Sequence, residues 1–435
     1  MLNRLRPVLA GLSAAIMLSA ATVALAQEQV TIRLADLFGG ENDQARLYTQ
    51  AIEAWQAAHP EVNLVRELSV GDDQRTKLAT DLAANNTPDV FFNWTGPGQM
   101  NKFVEAGVAL DMAEFFKVSK RLKADHWTPS QLEAASKDGV VYQLPRGAFK
   151  CFTLYNTAIF DQHGQKPPAT WDELLAVSKV FNENGIIPID MGSKGGNPGH
   201  LFYNAVGFQL PNGYEDSEAA ANPPHNVATD SMRQAAKLIL DMRNNKIIPE
   251  DSVGNGDWPP SIVLYNAQKA AMLYTCPWML QQIDPVVAET TEVMYFPDVP
   301  GSVRPGKDFH VGTVNDTWMI NKAAWEDPKK QEAIRSLIED ALISPEIEQG
   351  TVELGNFPAW VTTDEEVASY NLTPLSAKVI SFTATSPDLL KPLVNNMPTA
   401  GALNAYLETM DKVFAGQDPD QVLTDFQTTV NRETE

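Results

Sequence analysis

Val30-Thr31-Ile32-Arg33-Leu34, Val62-Asn63-Leu64-Val65-Arg66-Glu67-Leu68 and Val90-Phe91-Phe92 set the rhythm of the early chain. The first two alternate apolar and polar residues, the period of a strand with one face in a core. The third is uniformly apolar, as a strand covered on both faces is. Helical patterns fill the intervals. Tyr48, Ile52 and Trp55 share one face of a helix that Asn42 and Asp43 cap and His59-Pro60 ends. A second helix over 72–84 closes at Asn85-Asn86. Strand, helix, strand, helix, strand is the half-unit of a doubly wound parallel sheet.

The same grammar restarts downstream. Thr170-Trp171-Asp172-Glu173 is a capping box, in which hydroxyl and carboxylate satisfy the exposed amides of a helix start. That helix runs to Asn184-Gly185, and 186–191 is the next strand. Helices over 228–244 and 277–288 bracket a strand at 270–275. A Pro- and Gly-rich loop over 297–306 precedes a strand near 311–320. After Asp327-Pro328 the pattern is helical almost to the end, with Ile334, Leu337, Ile338 and Leu342 on one stripe. A sheet interrupted near 140–160 and resumed near 290–325 implies two α/β lobes joined by more than one crossing strand. The gap between such lobes suits a small ligand.

The totals agree with two lobes, since 435 residues exceed what one core usually serves. The formal charge of −22 excludes nucleic-acid and anionic-membrane partners, which require basic patches. Residues 1–26 read as a cleaved signal peptide: Arg4 and Arg6, an apolar run from Val8 to Val23, then Ala24-Leu25-Ala26. Gln27 follows rather than a lipid-anchoring Cys, which predicts a free periplasmic protein. Cys151 and Cys276 are either one disulfide or two buried thiols, and spacing does not choose between them. The six histidines are scattered, with no metal-ligand spacing. Gly301 to Lys307 imitates a phosphate-binding loop until Asp308 takes the Ser/Thr position, and so reads as a turn. No cofactor and no metal are expected.

Several stretches in order resemble the family-1 extracellular solute-binding proteins of ABC importers, in particular their carbohydrate branch, typified by maltose-binding proteins. They are Trp55-Gln-Ala-Ala-His-Pro60, Thr87-Pro-Asp-Val-Phe-Phe-Asn-Trp94, Glu105-Ala-Gly107, Val141-Tyr-Gln-Leu-Pro145, Thr170-Trp-Asp-Glu-Leu174, Lys269-Ala-Ala-Met272, Pro277-Trp278, Ile320-Asn-Lys322 and Ser344-Pro345-Glu346. The resemblance implies a two-lobed periplasmic-binding-protein type II fold with a hinge and an interlobe cleft. It also implies a monomeric receptor, not an enzyme, that passes a sugar to a membrane permease. On this reading 27–147 is the first lobe, 148–310 mainly the second, and 311–435 a return segment with C-terminal helices that mainly completes the first. The alternatives keep the fold and change the solute to a polyol, polyamine or glycerol phosphate, or make the chain a secreted carbohydrate-processing enzyme. Two departures touch the cleft: Val314-Asn315 stand where relatives often carry Gly-Gly, and Thr275-Cys276 where Gly usually precedes the Trp motif.

A sugar offers apolar faces ringed by hydroxyls, so its receptor needs aromatic platforms and polar side chains together. Trp278 aligns with the family's ligand-facing tryptophan. Asn93 and Trp94 lie at the carboxyl end of a parallel strand, where open α/β sheets bind ligands. Asp36 and Phe38 end the first strand. Phe149 and Lys150 occupy the crossing segment in the resemblance. Trp258 is a large aromatic in a Pro-rich loop, and Asn315 and Asp316 replace small residues with hydrogen-bonding ones. Trp360, near Pro358, rims the cleft on this reading.

Overall fold

The computed structural model describes residues 29–71, 73–360, 363–384 and 388–435; the expected signal peptide lies outside them. The opening alternation forms as read. Strand β1 (Val30–Asp36), helix α1 (Asp43–Ala58), strand β2 (Val62–Leu68), helix α2 (Asp73–Ala83), strand β3 (Val90–Trp94) and helix α3 (Pro97–Glu105) follow in order. The side chain of Asn42 accepts the Ala45 amide and starts α1. Such a cap contributes about 1 kcal/mol. Strand β1 pairs parallel with β2 on one side and β3 on the other.

Strand β4 (Leu144–Lys150) leads almost directly into β5 (Phe152–Asn156), and the chain passes from one sheet to another. The second sheet adds helix α4 (Trp171–Glu183), β6 (Ile187–Asp190), helices α5 (Gly199–Gly207) and α6 (Asp230–Asn244), β7 (Ala270–Thr275) and β8 (Thr291–Met294). Its order is β8-β5-β7-β6, with β7 parallel to β6 and antiparallel to β5. The capping box of Thr170 and Glu173 is formed in both directions at the start of α4. The expected helix over 277–288 is instead a 3-10 turn, Pro277–Gln282, and a short helix, Pro285–Glu289, because Asp284-Pro285 starts a new cap between them.

The long strand β9 (Phe309–Ile320) returns to the first sheet. It pairs antiparallel with β3 through 316–320 and antiparallel with β4 through 312–318. Helix α7 (Pro328–Leu337) then continues as a π turn, Ile338–Leu342, which keeps Ile334, Leu337, Ile338 and Leu342 all buried. Helix α8 (Pro345–Glu353) stays with the first lobe. Beyond it lie helix α9 (Pro374–Thr383), the short β10 (Asp388–Leu390), which pairs with β9, and helices α10 (Ala400–Phe414) and α11 (Pro419–Thr434).

Separate cores mark the lobes. Ile32, Phe92, Leu144, Trp318 and Ile334 belong to one, and Phe149, Ile189, Phe202, Met272 and Phe296 to another. Leu403, Tyr406, Phe414, Leu423 and Phe426 lie in the second core, where α10 and α11 pack on α5 and α6. Leu375 and Val379 of α9 pack on the second sheet's other face with Phe152 and Leu154. The assignment of 311–435 mainly to the first lobe therefore gives way after about residue 370. Amphipathic helices carry no mark of which core they cover.

Candidate solute site in the interlobe gap

Strand directions decide where a ligand fits. Trp94 at the end of β3 pairs with Asp316, which also pairs with Gly147 where β4 leaves the first lobe. The carboxyl ends of β1 and β3 therefore point toward the second lobe. In that lobe Thr275 ends β7 opposite Phe152, the first residue after the crossing. The carboxyl ends of β7 and the parallel β6 point back. Both sheets present to one gap the ends at which parallel α/β sheets bind ligands.

The second-lobe wall is aromatic. Trp278 and Trp258 are half-buried, and each packs against both cores flanking the second sheet, a position open only at the sheet's end. Their rings meet edge to face at 4.9 Å, and Trp278 meets Phe149 the same way at 5.3 Å. Cys151 and Cys276 are disulfide-bonded and tie the crossing strand to the end of β7 beside these rings. The loop before Trp258 is anchored by Asp190, which accepts from the side chain of Asn255 and the amide of Tyr265, each at 2.9 Å. Burial pushes the Asp190 carboxyl up to about 7.

The first-lobe wall is an aromatic and ionic mixture. Trp94 packs in the first core as Trp360 does, is 8% exposed, and carries the Arg75 guanidinium 4.1 Å above its ring. Beside it Arg146 meets Asp316 at 3.3 Å and lies over the rings of Phe38 and Tyr48. Burial raises the Asp316 carboxyl against the opposing pull of Arg146.

Other sequence-predicted residues are placed differently. Asn93 follows the opposite parity from Trp94: it is buried on the α3 side and donates to the Gln99 carbonyl and the Met319 sulfur. Asp36 is buried and accepts from Arg66 Nε and Nη2 and from the Phe38 amide. Phe38 is stacked on Tyr48 at 3.9 Å, inside the first core. Trp360 packs in that core too. Lys150 is half-buried and donates to the Thr383 carbonyl, and desolvation lowers its pKa. Asn315 accepts from Asn395. Sequence reasoning missed Arg75 and Arg146. The available signal for Arg146 was a lone cation in the apolar run Leu144 to Phe149.

A second interlobe groove of about 1050 Å³ is walled by Thr95 to Pro97, Lys391, Asn395 and Glu433 to Glu435. None of the sequence-predicted site residues lines it. Among the described residues no group of three or more His, Cys, Asp or Glu is placed to hold a metal. No helix among them is long and apolar enough to cross a membrane.

Two sheets facing one gap invite comparison with known receptors, and residues 39–349 match the family described as bacterial extracellular solute-binding proteins. The chain belongs to that family. A probable sugar-binding periplasmic protein of Rhizobium meliloti is 24% identical over 307 residues, covering 68% of this chain and 70% of that one. An uncharacterized ABC transporter extracellular-binding protein of Pyrococcus horikoshii is 24% identical over 154 residues, and the match spans 34% of its length. Among solved structures, a chitin oligosaccharide binding protein superposes with a TM-score of 0.79 at 20% identity, covering 94% of this chain and 100% of that one. A maltose-bound protein of T. maritima gives 0.70 at 16% identity, covering 93% and 100%. These likenesses establish the two-lobed solute-binding fold.

Proposed function

We propose that this solute-binding protein captures a sugar or oligosaccharide between its lobes and delivers it to the permease of an ABC importer. It acts as a monomer in the periplasm, after removal of residues 1–26. The observation that carries the reading is the corner of Phe149, Trp278 and Trp258, facing a first-lobe wall that bears Trp94 and Asp316. Aromatic faces and hydrogen-bonding groups in one gap suit the two kinds of surface that a sugar offers. The sugar-binding relatives and the chitin-oligosaccharide and maltose receptors support the same solute class. Closure follows from the solute's better fit to the closed arrangement, since a ligand shifts an equilibrium only by its differential affinity.

A thermal-shift panel of maltotriose, chitobiose, xylotriose, galactose, glycerol 3-phosphate and putrescine tests the reading. A bound sugar at a hundredfold excess over Kd stabilises by about 2.7 kcal/mol. At least one sugar raises Tm, and the purified protein returns labelled oligosaccharides intact. A shift with putrescine or glycerol 3-phosphate alone contradicts the carbohydrate reading, and turnover contradicts the receptor.

A further inference from the structure

Asp190 ends strand β6 with its side chain sealed from solvent. Its partners are neutral N–H donors. One oxygen accepts from the Asn255 side chain and the other from the Tyr265 amide, each at 2.9 Å. The backbone amides of Met191 and Leu264 also favour its charged form. An ionised carboxylate only accepts, at about four lone-pair positions, so it fits a shell made of donors. An Asn in its place would bring hydrogens of its own into that shell. The two side-chain bonds fall on either side of Trp258, since Asn255 precedes the indole and Tyr265 follows it.

Between Asn255 and Ile262 the chain makes only turns and a 3-10 turn, Pro260–Ile262. The backbone bonds that tie this loop to the chain after β6 all precede Trp258. Ser193 donates to the Ser252 carbonyl at 2.9 Å, and Lys194 to the Gly256 carbonyl at 3.2 Å. Gly192 and Gly256 permit that approach: a Cβ on Gly192 would lie 2.3 Å from the Gly256 carbonyl oxygen, and Gly256 has a φ of +94°. Beyond the indole, the Ser261 hydroxyl donates to the Trp258 carbonyl at 2.8 Å, a bond internal to the loop. Asp190 is the side chain that grips the loop both before and after Trp258.

Resting on the carbohydrate reading, we propose that Asp190 is the positioning residue of the second-lobe wall. With Asn255 it holds Trp258 against Trp278 before solute arrives. Trp258 is half-buried and meets Trp278 edge to face at 4.9 Å, and Trp278 in turn meets Phe149. A loop built of turns can carry its indole away from that corner, and an incoming solute would then have to order it. Such ordering subtracts from affinity, and a loop fixed in advance avoids it. Asp190 thereby sets solute affinity without touching solute.

Calorimetry of Asn255→Ala, Trp258→Ala and the double variant, with the panel sugar that binds wild type, tests the assignment. Asn255→Ala weakens that sugar roughly 3- to 10-fold, the range for ordering one large side chain. In the Trp258→Ala background the same change weakens it no further, because nothing is left to position. A merely structural Asn255 would cost the same in both backgrounds. Asp190→Asn behaves as Asn255→Ala does in each background. Hydrogen exchange without solute gives an independent readout: amides over 252–262 exchange faster in Asn255→Ala, while those of β6 and β7 keep wild-type protection. Unchanged affinity in either variant, equal losses with and without Trp258, or wild-type exchange over 252–262 overturns this proposal and leaves the carbohydrate reading standing. Failure of wild type to bind any panel sugar overturns both.

Discussion

Phe149 meets Trp278 edge to face, ring centres 5.3 Å apart, and two residues from each of them along the chain Cys151 is bonded to Cys276. One covalent link therefore fixes the crossing strand and the end of β7 in the register that brings these rings together. The disulfide closes a loop with a sequence separation of 125 residues. A chain-entropy account assigns such a link about 3–5 kcal/mol. Replacing both cysteines by serine lowers the urea midpoint of unfolding and weakens solute binding through the displaced ring pair. Equal affinity with a lowered midpoint would confine the bond to a stabilising role.

Trp278 is the central ring of the corner, meeting both Phe149 and Trp258. An aromatic ring half covered by sugar contributes about 2–3 kcal/mol at the usual area coefficient. Trp278→Ala is expected to weaken sugar binding roughly 30- to 150-fold by calorimetry. Trp258 supports it edge-on, so Trp258→Ala costs less than Trp278→Ala. Reversal of that order would make Trp258 the platform.

Two buried groups oppose each other in their effect on stability with pH. His310 is 5% exposed, and burial pushes its imidazole from 6.5 down to about 4. Between those values the unfolded chain holds the proton and the folded chain does not, so stability rises with pH. Asp190 runs the other way, from 3.8 up to about 7. There the folded chain holds the proton, and stability falls as pH rises. Each slope is about 1.4 kcal/mol per pH unit, and the two largely cancel. His310→Gln removes the rising limb, so relative to wild type it loses about 3 kcal/mol between pH 4.5 and 6.5. Asp190→Asn gains a similar amount over the same interval. Urea unfolding at the two pH values checks both, and parallel curves for all three proteins would contradict the assignment.

The strand and helix order was legible because period and caps are local. β1, α1, β2, α2 and β3 rest on alternation, on Asn42, and on the His59-Pro60 and Asn85-Asn86 stops. Site membership was less legible because it depends on parity and register. Asn93 and Trp94 are neighbours in sequence and opposites in space, since a strand turns successive side chains to opposite faces. Asp36 looked available until the β1–β2 register, which pairs Asp36 with Leu68, brought Arg66 alongside it. Arg146 escaped notice because its partner lies 170 positions away on β9. Trp360 is one indole among nine, and only three-dimensional packing separates core indoles from those at a sheet's end.

A neutral sugar is expected to lie between the two walls, with a face on Trp278 and hydroxyls on Asp316. A crystal structure of the protein with whichever panel sugar raises its Tm tests this most directly. The expected result is a pyranose ring in van der Waals contact with Trp278 and an Asp316 carboxylate oxygen within about 2.5–3.0 Å of a sugar hydroxyl. Sugar bound instead in the groove walled by Lys391, Asn395 and Glu433, with Trp278 untouched, would contradict it.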